Sequence, residues 1–283
     1  RKRLQNIFLS RAYEEMKVIY WLIFVIIYYS YIGYPIILYL LSNLFYSRTK
    51  QDINESKEWP NVSLLISAYN EEKVISAKIE NCLLLDYPNA LLNVWVASDG
   101  SSDNTNNIVK KYAAANENVH LLEFPRTGKS GMLNSAIKSI KSEIVIFSDA
   151  NTEYSADTIK WLVKHFKKQD VGCISGRLIY RNPGEIISGK AESIYWKYET
   201  ALKKMESKLG YISGANGAIY GIRRELFQPF PHRTINDDFT LSMKIVEKGF
   251  KSLYEENAIV YEDVAPTMES EFRRHVRDGA GHY

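Results

Sequence analysis

The sequence predicts an α/β protein whose sheet is mostly parallel with helices on both faces, preceded by one transmembrane helix. Two observations carry that prediction. From Asn61 onward, short apolar runs alternate with amphipathic ones in the order βαβαβαβ, the pattern of parallel strands joined by right-handed helical crossovers. Ahead of them, residues from Val18 to Tyr46 contain no charged side chain and are flanked by Lys17 and Arg48. That stretch exceeds the roughly 20 residues that cross a bilayer.

Composition narrows the field. The chain has 283 residues and a formal charge of only +3, without the clustered basic face that nucleic-acid binding requires. Its two cysteines, Cys82 and Cys173, sit in apolar surroundings without metal-ligand spacing and read as buried free thiols. Several of its 20 tyrosines fall in the charge-free stretch, suited to the headgroup zones.

Taken in order, the chain divides into a basic segment at 1–17, a membrane helix at 18–46, a polar linker at 47–60 and a catalytic domain at 61–283. Within the domain, 61–151 reads as one half and 152–283 as another. Strands are expected at 62–67, 93–97, 119–124 and 144–148, with helices at 71–85, 104–114 and 130–140 between them. The second half is looser: a helix at 158–168, a strand at 171–180 and a long helix at 185–209. A Gly-rich stretch at 211–222, a helix at 237–248, a strand pair within 252–261 and a helix at 268–276 complete it.

Acidic residues stand where the strands run out. The first strand ends in SAYNEE, the second in ASDGSSDNT, and the fourth in FSDANT. In open α/β sheets ligands bind beyond the carboxyl ends of the strands, so Asp99 and Asp149 are placed to hold a cation or a polar substrate group. An Asx turn or a helix N-cap accounts for either acid alone. Between strand and helix, Arg126–Gly131 (RTGKSG) opens a helix with Lys129 beside it, an anion site suited to a phosphate. The glycines of a dinucleotide fold or a Walker loop are missing.

The series SAYNEE, ASDGSSDNT, RTGKSGMLNSA, FSDANT, SGANGAIYGIRREL and NDDFTLSMKIVEKGFK resembles, in order and spacing, family 2 glycosyltransferases of the GT-A fold. The segments VGCISG and YWKYETALKKMES look closest to the bacterial branch similar to cellulose and poly-N-acetylglucosamine synthases. The resemblance implies that Tyr69, Glu71 and Asp99 hold the base and ribose of a UDP-sugar and that Lys129 organises the nucleotide pocket. Asp149 is then the first acid of the family's metal motif, binding Mg²⁺ or Mn²⁺. Its second acid is Asn151 here, an amide that can ligate a hard cation but adds no charge.

On the acceptor side, the resemblance implies that Asp237 and Asp238 are the family's acidic pair, with Asp238 as general base of an inverting transfer. Helix N-capping is the plainer role for that pair. Arg274 and Arg277 fall where processive synthases carry QxxRW, with Asp278 in place of the tryptophan. Trp196, Tyr198 and Glu199 offer an acceptor surface, or part of a helix core.

The implied protein is a membrane-anchored inverting glycosyltransferase transferring from a nucleotide sugar, UDP-linked, to a glycan or lipid-linked acceptor in envelope or exopolysaccharide synthesis. Its partners are that donor, that acceptor and the bilayer, with no nucleic acid. Cytosolic donor synthesis implies a cell inner membrane location with the domain facing the cytoplasm, although the basic residues before the helix point the other way. The chain stops where relatives continue into membrane helices, so a longer native chain is expected. Two alternatives stand beside this one: a metal-dependent nucleotidyltransferase, and a catalytically weak nucleotide-binding subunit of a synthase complex.

Overall fold

The structure, a computed structural model, describes residues 2–44, 58–181, 188–231, 234–263, 276 and 279–280, with the backbone alone at 2–12 and 188–196. The chain forms two compact units, Arg1–Ser47 and Arg48–Tyr283.

The first unit is helical: α1 (Lys2–Tyr28), a π-turn at Tyr29–Gly33 and α2 (Tyr34–Leu44). Pro35 has no N–H to offer the preceding turn, and a π-turn is a usual way for a helix to absorb such a break. Tyr13–Leu44 makes a helical stretch of 32 residues, long and apolar enough to cross a membrane. Most of its apolar side chains are exposed, among them Trp21, Ile26 and Leu40, with Leu38 buried, whereas a surface helix of a globular protein buries a whole stripe.

The second unit is built on an eight-stranded sheet in the order β3-β2-β1-β4-β7-β6-β8-β5. Its first half runs as expected: β1 (Val62–Ala68), α3 (Ile75–Leu83), β2 (Leu92–Asp99), α4 (Thr105–Ala115), β3 (Val119–Phe124), α5 (Lys129–Ala136) and β4 (Ile144–Asp149). These four strands are parallel. Both faces of β1 and β4 are buried, which is why VSLLISA and IVIF read as unbroken apolar runs. One cluster packs α3, α4 and α6 (Thr158–Val163) on one face, and a second packs α5 and α8 (Asp237–Glu247) on the other. Cys82 and Cys173 are buried and free.

The helices are shorter than their apolar patterns suggest. α3 starts at Ile75 because Val74 and Ile75 both donate to the Glu71 carbonyl in a turn. α5 and α6 each finish in a 3-10 segment, at Ile137–Ser139 and Lys164–Lys167.

The second half of the sheet is mixed. β6 (Val171–Arg181) is parallel to β8 (Lys251–Asp263), while β7 (Ile219–Arg223) lies antiparallel between β4 and β6. A short β5 (Thr152–Tyr154) closes the outer edge against β8. Neither β5 nor β7 is foreseen by the sequence reading, and the strand pair expected within 252–261 is one strand of 13 residues. Its turn-like centre, Glu255-Glu256-Asn257, falls in a break of the β6–β8 register between Tyr254 and Ile259, where the Glu255 carboxylate is held inside. It accepts from Lys164 Nζ at 2.8 Å, His165 Nε2 at 2.7 Å and Asn257 Nδ2 at 2.9 Å. Burial pushes that carboxyl up, but the hydrogen bonds from His165 and Lys164 outweigh it and bring it down to about 2. α7 (Ser188–Leu209) packs beside β8. The helix expected at 268–276 lies outside the described residues except for Val276.

Removing one member of a buried ion pair strands the other charge, at about 3–5 kcal/mol. Glu255→Gln should therefore lower the urea midpoint at pH 7 by a stability loss of about that size. An unchanged midpoint would contradict the role given to this carboxylate.

Candidate active site

The parallel strands β1, β2 and β4 deliver Tyr69, Asp99 and Asp149 to one edge of the sheet. Asp99 is buried. Its Oδ1 accepts from the backbone N–H of Thr127 at 2.8 Å and of Gly128 at 3.2 Å, and its Oδ2 pairs with Arg126. The amides expected to cradle a phosphate are thus bound to the protein's own carboxylate, which locks the loop leading into α5. Gly100 permits this closeness: its φ is +70°, and a Cβ there would lie 2.8 Å from the Arg126 nitrogen. The Arg126 guanidinium lies 3.4 Å from the centre of the Tyr69 ring. Tyr69, Arg126 and Asp99 together make a flat wall with an acceptor at its base, suited to a planar ring bearing N–H groups.

Lys129 is the first residue of α5, and its ammonium gathers the acids. Its Nζ lies 2.9 Å from Asp149 Oδ1 and 3.4 Å from Asp237 Oδ1. Burial alone would lower this ammonium, but Asp149 and Asp237 hold it well above its ordinary value. Asp237 is buried at the start of α8, and Tyr220 from β7 donates to its Oδ2 at 3.2 Å. Asp238 follows it, accepting from its neighbour's amide, Phe239 N, at 2.8 Å. A Cβ on Gly217 would stand 3.1 Å from Asp238 Oδ2, close enough to displace that carboxylate by a few tenths of an ångström. Burial, then the charge of Asp237, pushes the Asp238 carboxyl up to about 6, with Lys129 pulling the other way. Glu71 is raised by burial and by the fields of Asp149 and Asp103.

Acids drawn together this closely call for a cation. Among the described residues no three His, Cys, Asp or Glu side chains converge into a cage for one. What the chain offers is one carboxylate, Asp149, and the amide of Asn151, whose Nδ2 donates to Glu262 Oε1 at 3.0 Å. That donor set fits Mg²⁺ or Mn²⁺ taking the rest of its shell from a diphosphate and water.

The turn carrying Asp149 is held from beneath. Thr152 Oγ1 donates to the Asp149 carbonyl at 2.9 Å and accepts from buried Lys78 Nζ at 2.9 Å. Lys78 also lies 4.0 Å from the centre of the Tyr154 ring, and burial brings its ammonium down to about 8. On the acceptor side, Glu206 of α7 accepts from Ser213 N at 2.9 Å and Ser213 Oγ at 2.7 Å, fixing the loop that leads to Gly217. Tyr198 and Glu199 lie on the same helix, where Glu199 pairs with Lys203 at 3.0 Å. The Trp196 side chain, Arg274 and Arg277 lie outside the described residues.

The structure therefore brings Asp149, Lys129, Asp237 and Asp238 into one cluster and sets Tyr69 and Asp99 into a neighbouring wall. Arg126, Tyr220, Gly217, Lys78 and Glu262 were not assigned to the site from sequence. Arg126, Gly217 and Tyr220 lie within the quoted motifs, and Lys78 carries its own signal: it shares the helical face of Ile75, Ile79 and Cys82, where a lysine is out of place.

Residues 63–229 match the family model described as Glycosyl transferase family 2. Beta-monoglucosyldiacylglycerol synthase of Trichormus variabilis is 29% identical over 192 residues, which are 66% of this chain and 41% of that protein. Poly-beta-1,6-N-acetyl-D-glucosamine synthase of Staphylococcus aureus is 26% identical over 249 residues, 86% of this chain and 60% of the relative. The chain thus spans between 41% and 60% of the length of these two relatives. Among solved structures, mannosyltransferase PcManGT from Pyrobaculum calidifontis, in complex with GDP-Man and Mn²⁺, superposes with a TM-score of 0.72 at 23% identity. The match covers 90% of this chain and 71% of that one. The shared architecture is the GT-A fold.

Lys129→Met should raise the Asp238 carboxyl further above about 6, by about one pH unit or more. A carbon-detected NMR titration of that carboxyl measures it. An unchanged or lower value would mean that Lys129 does not govern the acidic pair.

Proposed function

Because the chain belongs to glycosyl transferase family 2, we propose that it is a membrane-anchored, metal-dependent, inverting enzyme that transfers a sugar from a UDP-linked donor to a glycan or lipid-linked acceptor. The observation that carries this reading is the junction at Lys129, where the strand-end acid Asp149 meets the acidic pair Asp237 and Asp238. Donor chemistry and acceptor chemistry meet at such a point.

Each residue has a task in the transfer. Tyr69 presents its ring to the base, and Asp99 accepts from a base N–H through Oδ2, the oxygen it shares with Arg126. Lys129 turns from Asp149 towards the diphosphate as the donor enters. Asp149 and Asn151 would hold Mg²⁺ or Mn²⁺, which when bound would neutralise the diphosphate and improve it as a leaving group. The acceptor oxygen then attacks the anomeric carbon, the bond from that carbon to the phosphate oxygen breaks, and the hydroxyl proton passes to Asp238. Asp237, fixed by Tyr220, keeps Asp238 basic enough for this work. One base and one displacement mean inversion.

Membrane attachment is supported by the helical stretch Tyr13–Leu44. Cytosolic donors put the catalytic unit on the cytoplasmic face of the inner membrane. The relatives' names, a diacylglycerol glycoside synthase and a polysaccharide synthase, support a lipid-linked or glycan acceptor in envelope synthesis. A carboxylate partner for the base suits the N–H groups of guanine as well as that of uracil, so UDP and GDP are to be compared directly. The family match favours neither the nucleotidyltransferase nor the inactive-subunit alternative.

Titration with UDP and GDP, each with and without Mn²⁺, should show metal-dependent binding that favours UDP. A panel of UDP-sugars should then give UDP release. Metal-independent binding would sink the metal reading, and binding without turnover across a broad panel would favour the inactive subunit. Asp238→Asn should lower kcat by about 10²- to 10⁴-fold with UDP affinity nearly intact; equal loss of both would make Asp238 structural. Since the base works ionised and its carboxyl sits at about 6, kcat/KM should fall about tenfold per pH unit below that value. A flat profile down to pH 5 would contradict the assignment.

A further inference from the structure

Asn151 is the one place where the residues depart from a two-acid cation site, and its surroundings suggest how the departure is accommodated. An amide has two ends, and only its oxygen can ligate a cation. Asn151 is exposed, and its Nδ2 donates to Glu262 Oε1 at 3.0 Å. An ionised carboxylate only accepts, so the Glu262 side chain can face the nitrogen and not the oxygen. The amide is thereby turned with Oδ1 away from Glu262, and among the described residues no other side chain claims that oxygen.

Glu262 is well placed to do this. It lies on β8, paired with Thr152 of β5 on one side and Tyr180 of β6 on the other, so its backbone is tied from both sides. Thr152 directly follows Asn151, and its hydroxyl donates to the Asp149 carbonyl at 2.9 Å. The strand that carries Glu262 is therefore in register with the turn that carries both ligands. Glu262 also returns a negative charge to the position where an amide stands in place of an acid.

We propose that Glu262 is a positioning residue for the cation: it holds the Asn151 amide with its oxygen towards the ion, so that an asparagine serves at this position. The proposal rests on the metal-dependent reading given above. Partners one hydrogen bond behind a metal ligand typically affect affinity by 10- to 100-fold when removed.

The test is a double-mutant cycle on the full chain, with Mn²⁺ binding in the presence of UDP followed by electron paramagnetic resonance. Glu262→Gln should weaken Mn²⁺ binding about tenfold or more, because glutamine can face either end of the amide. UDP binding without metal should not change. In an Asn151→Asp background there is no amide to orient, so Glu262→Gln should then cost nothing or strengthen Mn²⁺ binding. Equal loss in both backgrounds would show that Glu262 acts only through its charge, and no loss in either would remove it from the site; each result overturns the proposal. A parent chain that binds no Mn²⁺ with UDP would overturn the metal-dependent reading and this proposal together, whereas a parent that binds normally isolates the failure to Glu262.

Discussion

The ammonium of Lys129, 2.9 Å from Asp149 and 3.4 Å from Asp237, is the contact on which the arrangement of the site depends. Asp149 ends β4, Asp237 opens α8, and 88 positions of chain separate them. With Asp238 alongside, the three carboxylates would repel one another in a partly buried setting where charges are weakly screened. A fixed ammonium makes their proximity tolerable, while burial and the charge of Asp237 keep the Asp238 carboxyl raised to about 6.

The remainder of the fold holds these groups at one edge. Parallel pairing of β1 with β2 and β4 brings three strand ends together. Asp99 secures the loop that places Lys129, while Lys78 and Thr152 support the turn that presents Asp149. Away from the chemistry, the Glu255 carboxylate, with Lys164 and His165, joins the segment after α6 to β8. Polar groups that would be costly to bury alone are therefore used in sets, each satisfied by partners from a different element.

Much of this is legible in the sequence. Apolar runs ending in SDG and SDAN marked strand ends with acids beyond them, because a strand buried on both faces leaves little ambiguity in an unbroken run of Val, Ile and Leu. β7 was hidden in a Gly-rich stretch: IYGIR is short, and it is a strand because β4 and β6 pair with it on either side, a tertiary fact. β8 reads as two strands because Glu255-Glu256-Asn257 resembles a turn, and only its buried partners show one strand with a break in register. The sequence marks Asp99 as a strand-end acid, but its role in binding the Thr127 and Gly128 amides depends on a loop 28 positions away. Arg126 lies in the RTGKSG loop that the sequence marks as an anion site, but its pairing with Asp99 is a tertiary fact; Glu262 has no local feature that distinguishes it from a surface charge.

Membership of glycosyl transferase family 2 and the GT-A fold gives these residues a shared context, and the central claim is that one cation site lies between Asp149 and Asn151, beside the Lys129 junction. The most direct measurement is an anomalous difference map from crystals of the full chain grown with UDP and Mn²⁺. The account predicts a single Mn²⁺ peak within bonding distance of an Asp149 carboxylate oxygen and Asn151 Oδ1, with the Lys129 ammonium moved onto the diphosphate. UDP bound with no such peak, or Mn²⁺ bound away from Asp149 with the Lys129–Asp149 pair intact, would contradict it.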